Sequence, residues 1–319
     1  MRMPVMLGRH NCSVHICANE KAGGNQSIAA ILGVRLLYSM ATSNLSSMSE
    51  KLVMKYYSEQ RVREWKRLAI DPYHKLEFDT TMHFVKKYLP KTRGLVLDAG
   101  GGPGRYAIEL CKLGYEVILL DLSPEMLEVA EQQIRKFRVK DGVTRILQGS
   151  IDDLSMFENE TFDCVVCLGG PLSHIVDQAR RERAITEMKR VAKKDSNILV
   201  SVIGRFAVLV TELVRLPKEI ELDIFPRIRD TGDYFGGYGF APCHFYTPEE
   251  LKKSFEKKRI RVLEMVGLEG LASGHHRETN RLARKQPKAW KEWWKTHLKT
   301  CTDQVSVGIS EHFMIICRK

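Results

Sequence analysis

The sequence predicts an α/β fold in which helices cover both faces of a mostly parallel sheet. Two observations support this fold. Strand and helix signals alternate through the middle of the chain, and the first of these strands runs into a glycine-rich turn and then a helix, GLVLDAGGGPGRYAIEL. Such alternation is typical of parallel strands joined by crossover helices. A chain of 319 residues with 44% hydrophobic content can also bury a substantial core.

The first 48 residues differ in composition from the rest of the chain. They hold four basic residues but a single acid, Glu20, and little regular periodicity. We predict an unstructured leader over residues 1–48, which is either an organelle presequence or an over-long start. The segment HNCSVHIC, from His10 to Cys17, has zinc-binding residue types, but their spacing matches no common finger and no metal site is predicted.

Cysteine usage and hydropathy indicate the cellular setting. Eight cysteines in a chain of this length do not form the dense framework of a small secreted domain. The apolar stretch from Ile28 is shorter than the roughly 18 residues that a membrane span needs, and it contains Arg35. We therefore expect no transmembrane helix and a cytoplasmic protein, with organelle import if residues 1–48 are a presequence.

Two helices are predicted before the first strand. Apolar and aromatic residues recur at helical spacing from Leu52 to Leu68, and a second helix is predicted over 75–88, closed by Pro90. Residues 49–92 are thus expected to form an N-terminal helical cap.

Residues 93–203 are predicted to form the ligand-binding core. In parallel sheets, ligands bind beyond the carboxyl ends of the strands, and the first strand-to-helix turn is the usual place. That turn here is Asp98 to Gly104. The five predicted strands lie near 94–98, 115–120, 143–148, 162–167 and 196–203.

The glycine-rich turn departs from two common phosphate-binding loops. A dinucleotide fingerprint has a third glycine where this chain has Arg105, and a Walker loop ends in Lys and Ser or Thr, where this chain has Pro-Gly-Arg-Tyr. Glycines allow a ligand to approach the backbone closely, and Asp121, at the end of the second strand, can accept hydrogen bonds from both hydroxyls of a ribose. The remaining motif is Asp-x-Gly-x-Gly-x-Gly, formed by Asp98, Gly100, Gly102 and Gly104.

These motifs resemble those of the class I S-adenosylmethionine-dependent methyltransferases, most of all the small-molecule, ubiquinone- and menaquinone-type enzymes. The resemblance covers residues 93–203 strongly and the remainder of the chain loosely. It implies a Rossmann-like fold with a mostly parallel seven-stranded sheet, and S-adenosyl-L-methionine as the cofactor. It also implies that Asp98 orders the loop and helps to hold the methionine amino group, that Asp121 binds the ribose hydroxyls, and that Leu122 flanks the adenine.

Two later segments correspond to further cofactor contacts of that family. The family often has an acid after the glycine of LQGSIDD, where this chain has Ser150, so the adenine contact is assigned to Ser150 and Ile151, largely through their backbone. The loop that begins at Leu168 corresponds to the one beside the methionine part of the cofactor. Its sequence, LGGP, lacks the Asn/Asp-Pro-Pro-Tyr motif of base-amino methyltransferases, which argues against methylation of adenine or cytosine.

The remaining residues are predicted to form the substrate side and to complete the sheet. Residues 204–247 read as an inserted lid: FAVLVTELVRL predicts an amphipathic helix, and DTGDYFGGYGFAPCHFY places aromatic residues among glycines. In residues 248–319 we expect a helix capped by Thr247, a helix over 277–299 and a final antiparallel strand formed by VSVGISEHFMIICRK.

Three histidines are candidates for a general base, because imidazole titrates near neutral pH. They are His174, His244 and His312. A base is needed only when the acceptor keeps its proton until attack, as phenols and alcohols do. Most of the catalysis is expected from in-line positioning of the nucleophile.

The leading hypothesis is a methyltransferase that acts on a small molecule. An RNA or protein methyltransferase is the alternative, since the net charge is +11 and much of the excess lies after residue 249. No RNA-binding module is visible, so a nucleic-acid partner is not expected. A third hypothesis, of another class, is a non-catalytic scaffold with the same fold. The sequence leaves open the acceptor, the atom methylated and the oligomeric state.

Overall fold

The computed structural model describes residues 42–237 and 239–319. The segment from His10 to Cys17 and most of the predicted leader lie outside this range. The first helix, α1 (Thr42–Arg67), begins inside the predicted leader, so residues 42–48 are helical. It is followed by α2 (Pro72–Tyr88), whose first turn is capped by Asp71.

A seven-stranded sheet forms the centre of the molecule, in the order β3-β2-β1-β4-β5-β9-β8. The strands β1 to β5 are parallel, and β9 runs antiparallel to both β5 and β8. The predicted fold class and all five core strands are confirmed. The strand bounds are β1 (Leu95–Ala99), β2 (Glu116–Asp121), β3 (Val143–Gln148), β4 (Phe162–Cys167), β5 (Ala192–Ile203), β8 (Arg261–Gly267) and β9 (His312–Arg318).

Helices pack on both faces of this sheet, and each face has its own apolar cluster. Most residues of β1, β4 and β9 are fully buried, as expected for strands covered on both sides. The helices that complete the fold are α3 (Arg105–Lys112), α4 (Pro124–Lys136), α5 (Gln178–Val191), α6 (Arg205–Arg215), α7 (Ile224–Thr231), α8 (Pro248–Glu256), α9 (His276–Lys285), α10 (Pro287–Thr300) and α11 (Gln304–Ile309).

The predicted helix over 277–299 is wrong in one respect, because the structure divides it into α9 and α10. The break lies at Gln286, directly before Pro287. Proline disfavours helical backbone at the residue before it and cannot donate the amide hydrogen bond that a continuous helix needs. The tryptophans of α10 then pack, partly buried, against Tyr73 and Leu76 of the N-terminal cap.

The C-terminal residues include two elements that the sequence pattern did not separate. The stretch VSVGISEHFMIICRK was expected to be one strand, but its first part forms α11 and only its second part forms β9. The capping box of Thr247 and Glu250 at the start of α8 is confirmed.

The insert after β5 contains α6 and α7 and a two-stranded ribbon, β6 (Asp233–Tyr234) with β7 (Cys243–His244). The side chains of Tyr234 and Phe245 are fully buried in a small cluster of their own. They therefore anchor the insert, whereas Phe240 reaches α1 and packs edge-on against Tyr56. Tyr238 lies outside the described residues.

None of the helices in the described part of the chain is long and apolar enough to cross a membrane.

Candidate active site

A cavity lies at the carboxyl ends of β1, β2 and β4, and α1 forms its opposite wall. This is the edge of a parallel sheet at which the loops are free to build a ligand site. The structure brings most of the predicted cofactor residues together here. Those that line the cavity are Gly100, Gly102, Asp121, Leu122, Ser150, Ile151 and Leu168.

Two glycines of the turn have backbone conformations that favour glycine. Gly100 has φ +76°, and a Cβ there would lie 2.5 Å from the ring of Pro171, so no larger residue fits. Gly102 has φ +52°, but the nearest atom to a Cβ there is an Asp121 oxygen at 4.0 Å. The space over Gly102 is therefore open, as a turn that receives a ligand requires.

Gly104, in contrast, does not line the cavity. It lies at the start of α3 with φ +80°, and a Cβ there would lie 3.1 Å from that of Ala130 and 3.3 Å from a methyl of Leu119. The structure thus gives Gly104 a different role from the predicted cofactor contact, because it permits close packing of α3 against α4 and β2.

Asp121 is held in place by two backbone amides. One oxygen accepts from Gly102 N at 2.8 Å and the other from Ser123 N at 2.9 Å. Burial raises the pKa of Asp121 to about 6, although these amides oppose the shift. A carboxylate oxygen has a second lone pair, so both oxygens can still accept hydrogen bonds from a ligand.

Asp98 lies directly beneath the turn rather than on the cavity surface. It is fully buried, and neither carboxylate oxygen makes a well-aligned hydrogen bond within the described residues. Burial raises the pKa of Asp98 to about 7, the nearby amide of Ala107 opposes the shift, and the charge of Asp121 adds to it. An unsatisfied buried carboxylate is costly, so this position requires either a proton or a cationic partner.

The predicted adenine edge is tied to a charged network. Ser150 donates a hydrogen bond to Asp152. The Asp152 carboxylate also pairs with Arg180, at 2.8 Å, and with Arg183, at 2.6 Å. Because Asp152 is already paired, it is not free to contact an adenine, and Ser150 and Ile151 remain the residues of this loop that line the cavity.

His174 lines the cavity and is fixed by two hydrogen bonds. Its Nδ1 lies 3.0 Å from the carbonyl oxygen of Pro242, which can only accept, so Nδ1 carries the proton. The Nε2 atom of a neutral ring is then an acceptor, and Tyr57 of α1 donates its hydroxyl proton to it at 2.6 Å. Burial lowers the pKa of His174 to about 4, which keeps the ring neutral at physiological pH.

His244 lies outside the cavity. Its two ring nitrogens are each 2.6 Å from a carboxylate, one from Asp233 and one from Glu250. One of these bonds lies within the insert and the other joins the insert to α8, so both nitrogens are engaged and His244 is not placed to act on a ligand in the cavity.

His312 lines a smaller chamber whose wall shares Gly169 and three residues of α1 with the cavity. Its Nδ1 lies 2.9 Å from Glu269, and burial alone would lower its pKa, but the carboxylates of Glu77 and Glu269 raise that pKa to about 9. His312 is therefore a cation at neutral pH and not a free base. We call this space the side chamber, and it is lined by Tyr56, Tyr57, Gln60, Arg63, Glu64, Arg67, Gly169, Ile203, Phe240 and His312.

A buried ion network lies behind the side chamber. Glu77, Glu269 and His312 present ligand-type atoms within 4.8 Å of one another. Arg67 already neutralises Glu77 through two hydrogen bonds, of 2.6 Å and 3.2 Å, and its Nε donates to Glu64 at 2.8 Å. Since a guanidinium and an imidazolium supply the positive charge, the cluster is a protein ion network and not an arrangement for a metal ion.

The cavity therefore fits a cofactor that carries both a ribose and a cationic amino group. Two features of the cavity wall support the ribose, namely the open space over Gly102 and the unused lone pairs of Asp121. The Asp98 carboxylate, buried beneath the turn without a well-aligned hydrogen bond, supports a positive charge nearby.

Part of the chain is similar to known methyltransferases. Residues 96–195 match the family model described as "Methyltransferase domain". A glycine/sarcosine N-methyltransferase of Aphanothece halophytica is 28% identical over 144 residues, 45% of this chain and 52% of the relative. A ubiquinone biosynthesis O-methyltransferase of Xanthomonas oryzae pv. oryzae is 29% identical over 134 residues, 42% of this chain and 53% of the relative. The matched segment thus spans about half the length of these curated relatives.

A solved structure supports the fold. A SAM-dependent methyltransferase from Methanosarcina mazei aligns with 74% of this chain and 96% of its own, with a TM-score of 0.51 and 21% identity. The matched segment, residues 96–195, is similar to a methyltransferase domain, and the likeness to the solved structure is one of fold. In particular, this segment resembles the class I S-adenosylmethionine-dependent methyltransferases, whose cofactor is S-adenosylmethionine.

Several cavity residues have no sequence signal. Glu50, Tyr57 and Arg67 lie on α1, and Arg180 lies on α5. In the sequence, these residues are ordinary members of helices and belong to no motif. Only the packing of α1 across the carboxyl edge of the sheet places them beside the glycine turn.

Proposed function

We propose that the protein transfers a methyl group from S-adenosylmethionine to a small-molecule acceptor whose nucleophile is a neutral amine. The observation that carries the proposal is the Tyr57–His174 pair. It lies between the cofactor cavity and the side chamber, which share Tyr57, Glu64, Arg67 and Gly169 in their walls.

The cofactor, when bound, supplies a methyl group on a positively charged sulfur. Asp121 would hold the ribose, Asp98 would balance the amino group, and Leu122, Ser150 and Ile151 would surround the adenine. Leu168 would lie beside the methionine part. The side chains of α1 close the cavity from the other side and exclude water, which favours transfer to a less hydrated nucleophile.

Tyr57 is suited to orient the acceptor. Its hydroxyl proton is directed to His174, so its oxygen lone pairs can accept a hydrogen bond from an N–H or O–H group in the side chamber. A ring with a pKa near 4 is a weak base, so the pair aligns a nucleophile rather than deprotonating one. A neutral amine meets this condition, because its lone pair is free before transfer.

The names of the relatives guide the choice of acceptor. The first two are glycine/sarcosine N-methyltransferases, and others are ubiquinone biosynthesis O-methyltransferases. Amines therefore come first in the screen, and phenols serve as the comparison class.

We also propose the division of the chain into a cap (49–92), a cofactor-binding core (93–203), a lid (204–247) and a part that completes the sheet (248–319). Support comes from the contact of Phe240 with Tyr56, which joins the insert to α1 over the side chamber.

Transfer of radiolabel from methyl-labelled S-adenosylmethionine tests the proposed activity. The panel contains glycine, sarcosine, aryl-alkyl amines, phenols, a protein mixture and RNA. RNA is included because Arg277, Arg281 and Arg284 are exposed on α9 without a partner among the described residues. Label in a small amine supports the proposal. Label in RNA or protein, or in no acceptor despite cofactor binding, contradicts it.

Replacing Tyr57 by phenylalanine is expected to lower kcat by about 10-fold to 100-fold, because the nucleophile loses its orienting hydrogen bond. Adenosylhomocysteine affinity should stay within about twofold, since a hydroxyl directed at His174 is not assigned to the cofactor. Steady-state kinetics and calorimetry measure both. The matched control is Tyr115→Phe, which removes a hydroxyl bonded to the Pro90 carbonyl at the far end of β1. An unchanged kcat in Tyr57→Phe would rule out the orienting role.

Adenosylhomocysteine is expected to bind more weakly as the pH falls from 8 to 5. The pKa values of Asp98 and Asp121 are raised to about 7 and about 6, so each acid is protonated below its pKa and must ionise when the ligand binds. The affinity should fall by up to about tenfold per pH unit for each group below its pKa. Calorimetry in buffers of different ionisation enthalpy should detect proton release near pH 6. In Asp98→Asn the fall between pH 7 and 6 should shrink to about twofold, the part due to Asp121, and a flat profile in the parent protein would contradict both assignments.

A further inference from the structure

The side chamber presents more positive than negative charge. Three of its lining residues are cationic at neutral pH, namely Arg63, Arg67 and His312, and one is an acid, Glu64. Arg67 is paired with Glu64 and Glu77, and His312 is paired with Glu269. Arg63 is therefore the lining cation that makes no ion pair within the described residues.

His312 has one hydrogen-bond donor left over. Its Nδ1 bonds to Glu269, whereas its Nε2 has no partner among the described residues. The residue is 8% exposed, and that small exposure lies in the side chamber. A buried imidazolium with an unused N–H is costly unless an acceptor reaches it.

Arg63 supplies the second donor group. It lies one turn before Arg67 on α1, is exposed and makes no ion pair within the described residues. A guanidinium binds carboxylates with two parallel hydrogen bonds, so a single anionic group between Arg63 and His312 would satisfy both.

The other walls of the side chamber are aromatic. Tyr56 packs edge-on against Phe240, with ring centroids 5.5 Å apart, and also against Tyr57, at 5.3 Å. Such walls accept a flat apolar body and exclude water from the charged end.

We propose that the side chamber binds an acceptor through an anionic carboxylate, which His312 and Arg63 hold while the aromatic residues enclose its apolar part. This inference rests on the proposed function, because it assigns the substrate class of the same site. With the Tyr57–His174 pair at the cofactor end, the acceptor is an amino carboxylate larger than glycine, with its amine towards Gly169 and its carboxylate towards His312.

The charge on His312 depends on the groups packed around it. They are Arg67 from α1, Glu77 from α2, His174 from the turn after β4, Glu269 from the segment after β8 and the neighbouring Glu311. The carboxylates among them hold the pKa of His312 at about 9. Anion binding should therefore be lost as the pH rises through 9, whereas Arg63 stays charged.

Phenylacetate is a suitable probe, with the neutral phenylacetamide and the cationic 2-phenylethylamine as matched comparisons. The full chain is first saturated with adenosylhomocysteine, and the binding of each probe is then measured by calorimetry. The Kd of phenylacetate should be at least about tenfold lower than that of phenylacetamide, because one charge-assisted hydrogen bond contributes that much. The Kd should rise at least about tenfold in His312→Gln or at pH 10, and about threefold to tenfold in Arg63→Gln. Lys66→Gln, on the same helix, is the control and should bind phenylacetate normally.

Equal binding of phenylacetate and phenylacetamide, or preference for the amine, would overturn the proposal. If the His312→Gln variant fails to bind adenosylhomocysteine, the variant is misfolded and cannot test the proposal. The phenylacetate affinity of Arg63→Gln and of the parent protein across the pH series then tests it. Failure of the parent protein to bind adenosylhomocysteine would instead reject the proposed function. Each failure is thus distinguishable, because cofactor binding and anion binding are measured separately.

Discussion

Replacing Asp121 by alanine is expected to abolish most of the affinity for adenosylhomocysteine. Two hydrogen bonds from ribose hydroxyls to a carboxylate contribute about 1.5–3 kcal/mol each, so the Kd should rise by roughly 100-fold or more. The same carboxylate also accepts hydrogen bonds from the backbone amides of Gly102 and Ser123, so its loss removes a contact that holds the glycine turn in place. Calorimetric titration measures the change directly.

The control for this variant is Asp141→Ala. Asp141 is an exposed acid in the turn before β3 with no hydrogen bond or ion pair in the described structure, so its removal changes the net charge equally but leaves the cavity intact. Asp121→Asn should give an intermediate Kd, because an amide keeps one acceptor oxygen. An affinity in Asp121→Ala within threefold of the parent would contradict the assignment of the ribose site.

Replacing Arg67 by methionine is expected to lower the free energy of unfolding by about 3–5 kcal/mol, because it leaves buried carboxylates without their cation. Arg67 is 8% exposed and bonds to Glu77 through two nitrogens and to Glu64 through a third. The loss of attraction is not offset by methionine packing, since Glu77 stays buried. Denaturant unfolding followed by circular dichroism measures the change.

Lys66→Met is the matched control, because Lys66 is exposed and makes no ion pair in the described structure. A double variant, Arg67→Met with Glu77→Gln, should recover part of the loss by removing the stranded charge. A change below about 1 kcal/mol in Arg67→Met would mean that water reaches Glu77 and that the network is not buried in solution.

Much of the fold could be predicted from the sequence, because the signals are local. The strands of the core are short apolar runs between turns, and the spacing of their apolar residues distinguishes them from the helices. The start of α8 was equally clear, since the side chains of Thr247 and Glu250 each accept a hydrogen bond from the backbone amide of the other residue within one turn. The division of residues 277–299 was missed because the apolar spacing of Trp290 and Trp294 lies entirely after Pro287 and carries no information on the residues before it.

The candidate site was predicted only in part. The glycine turn and Asp121 are recognisable because one segment of chain contains the whole motif. Gly104 matched that motif but packs against Ala130, and the motif by itself does not distinguish a packing glycine from one that faces a ligand. The three histidines could not be ranked, since the hydrogen-bond partners of their rings come from other segments, such as Glu269 beside His312.

The sequence by itself determined the sheet, the glycine turn and the class of cofactor. Each of these depends on residues that are neighbours along the chain. Only the tertiary structure decided what surrounds the acceptor, because Tyr57 meets His174 across 117 positions and His312 is brought beside Arg67 by the antiparallel strand β9. Such contacts depend on strand order and helix packing, which join distant segments through burial rather than through any local pattern. The charge of His312 and the neutrality of His174 follow from that packing.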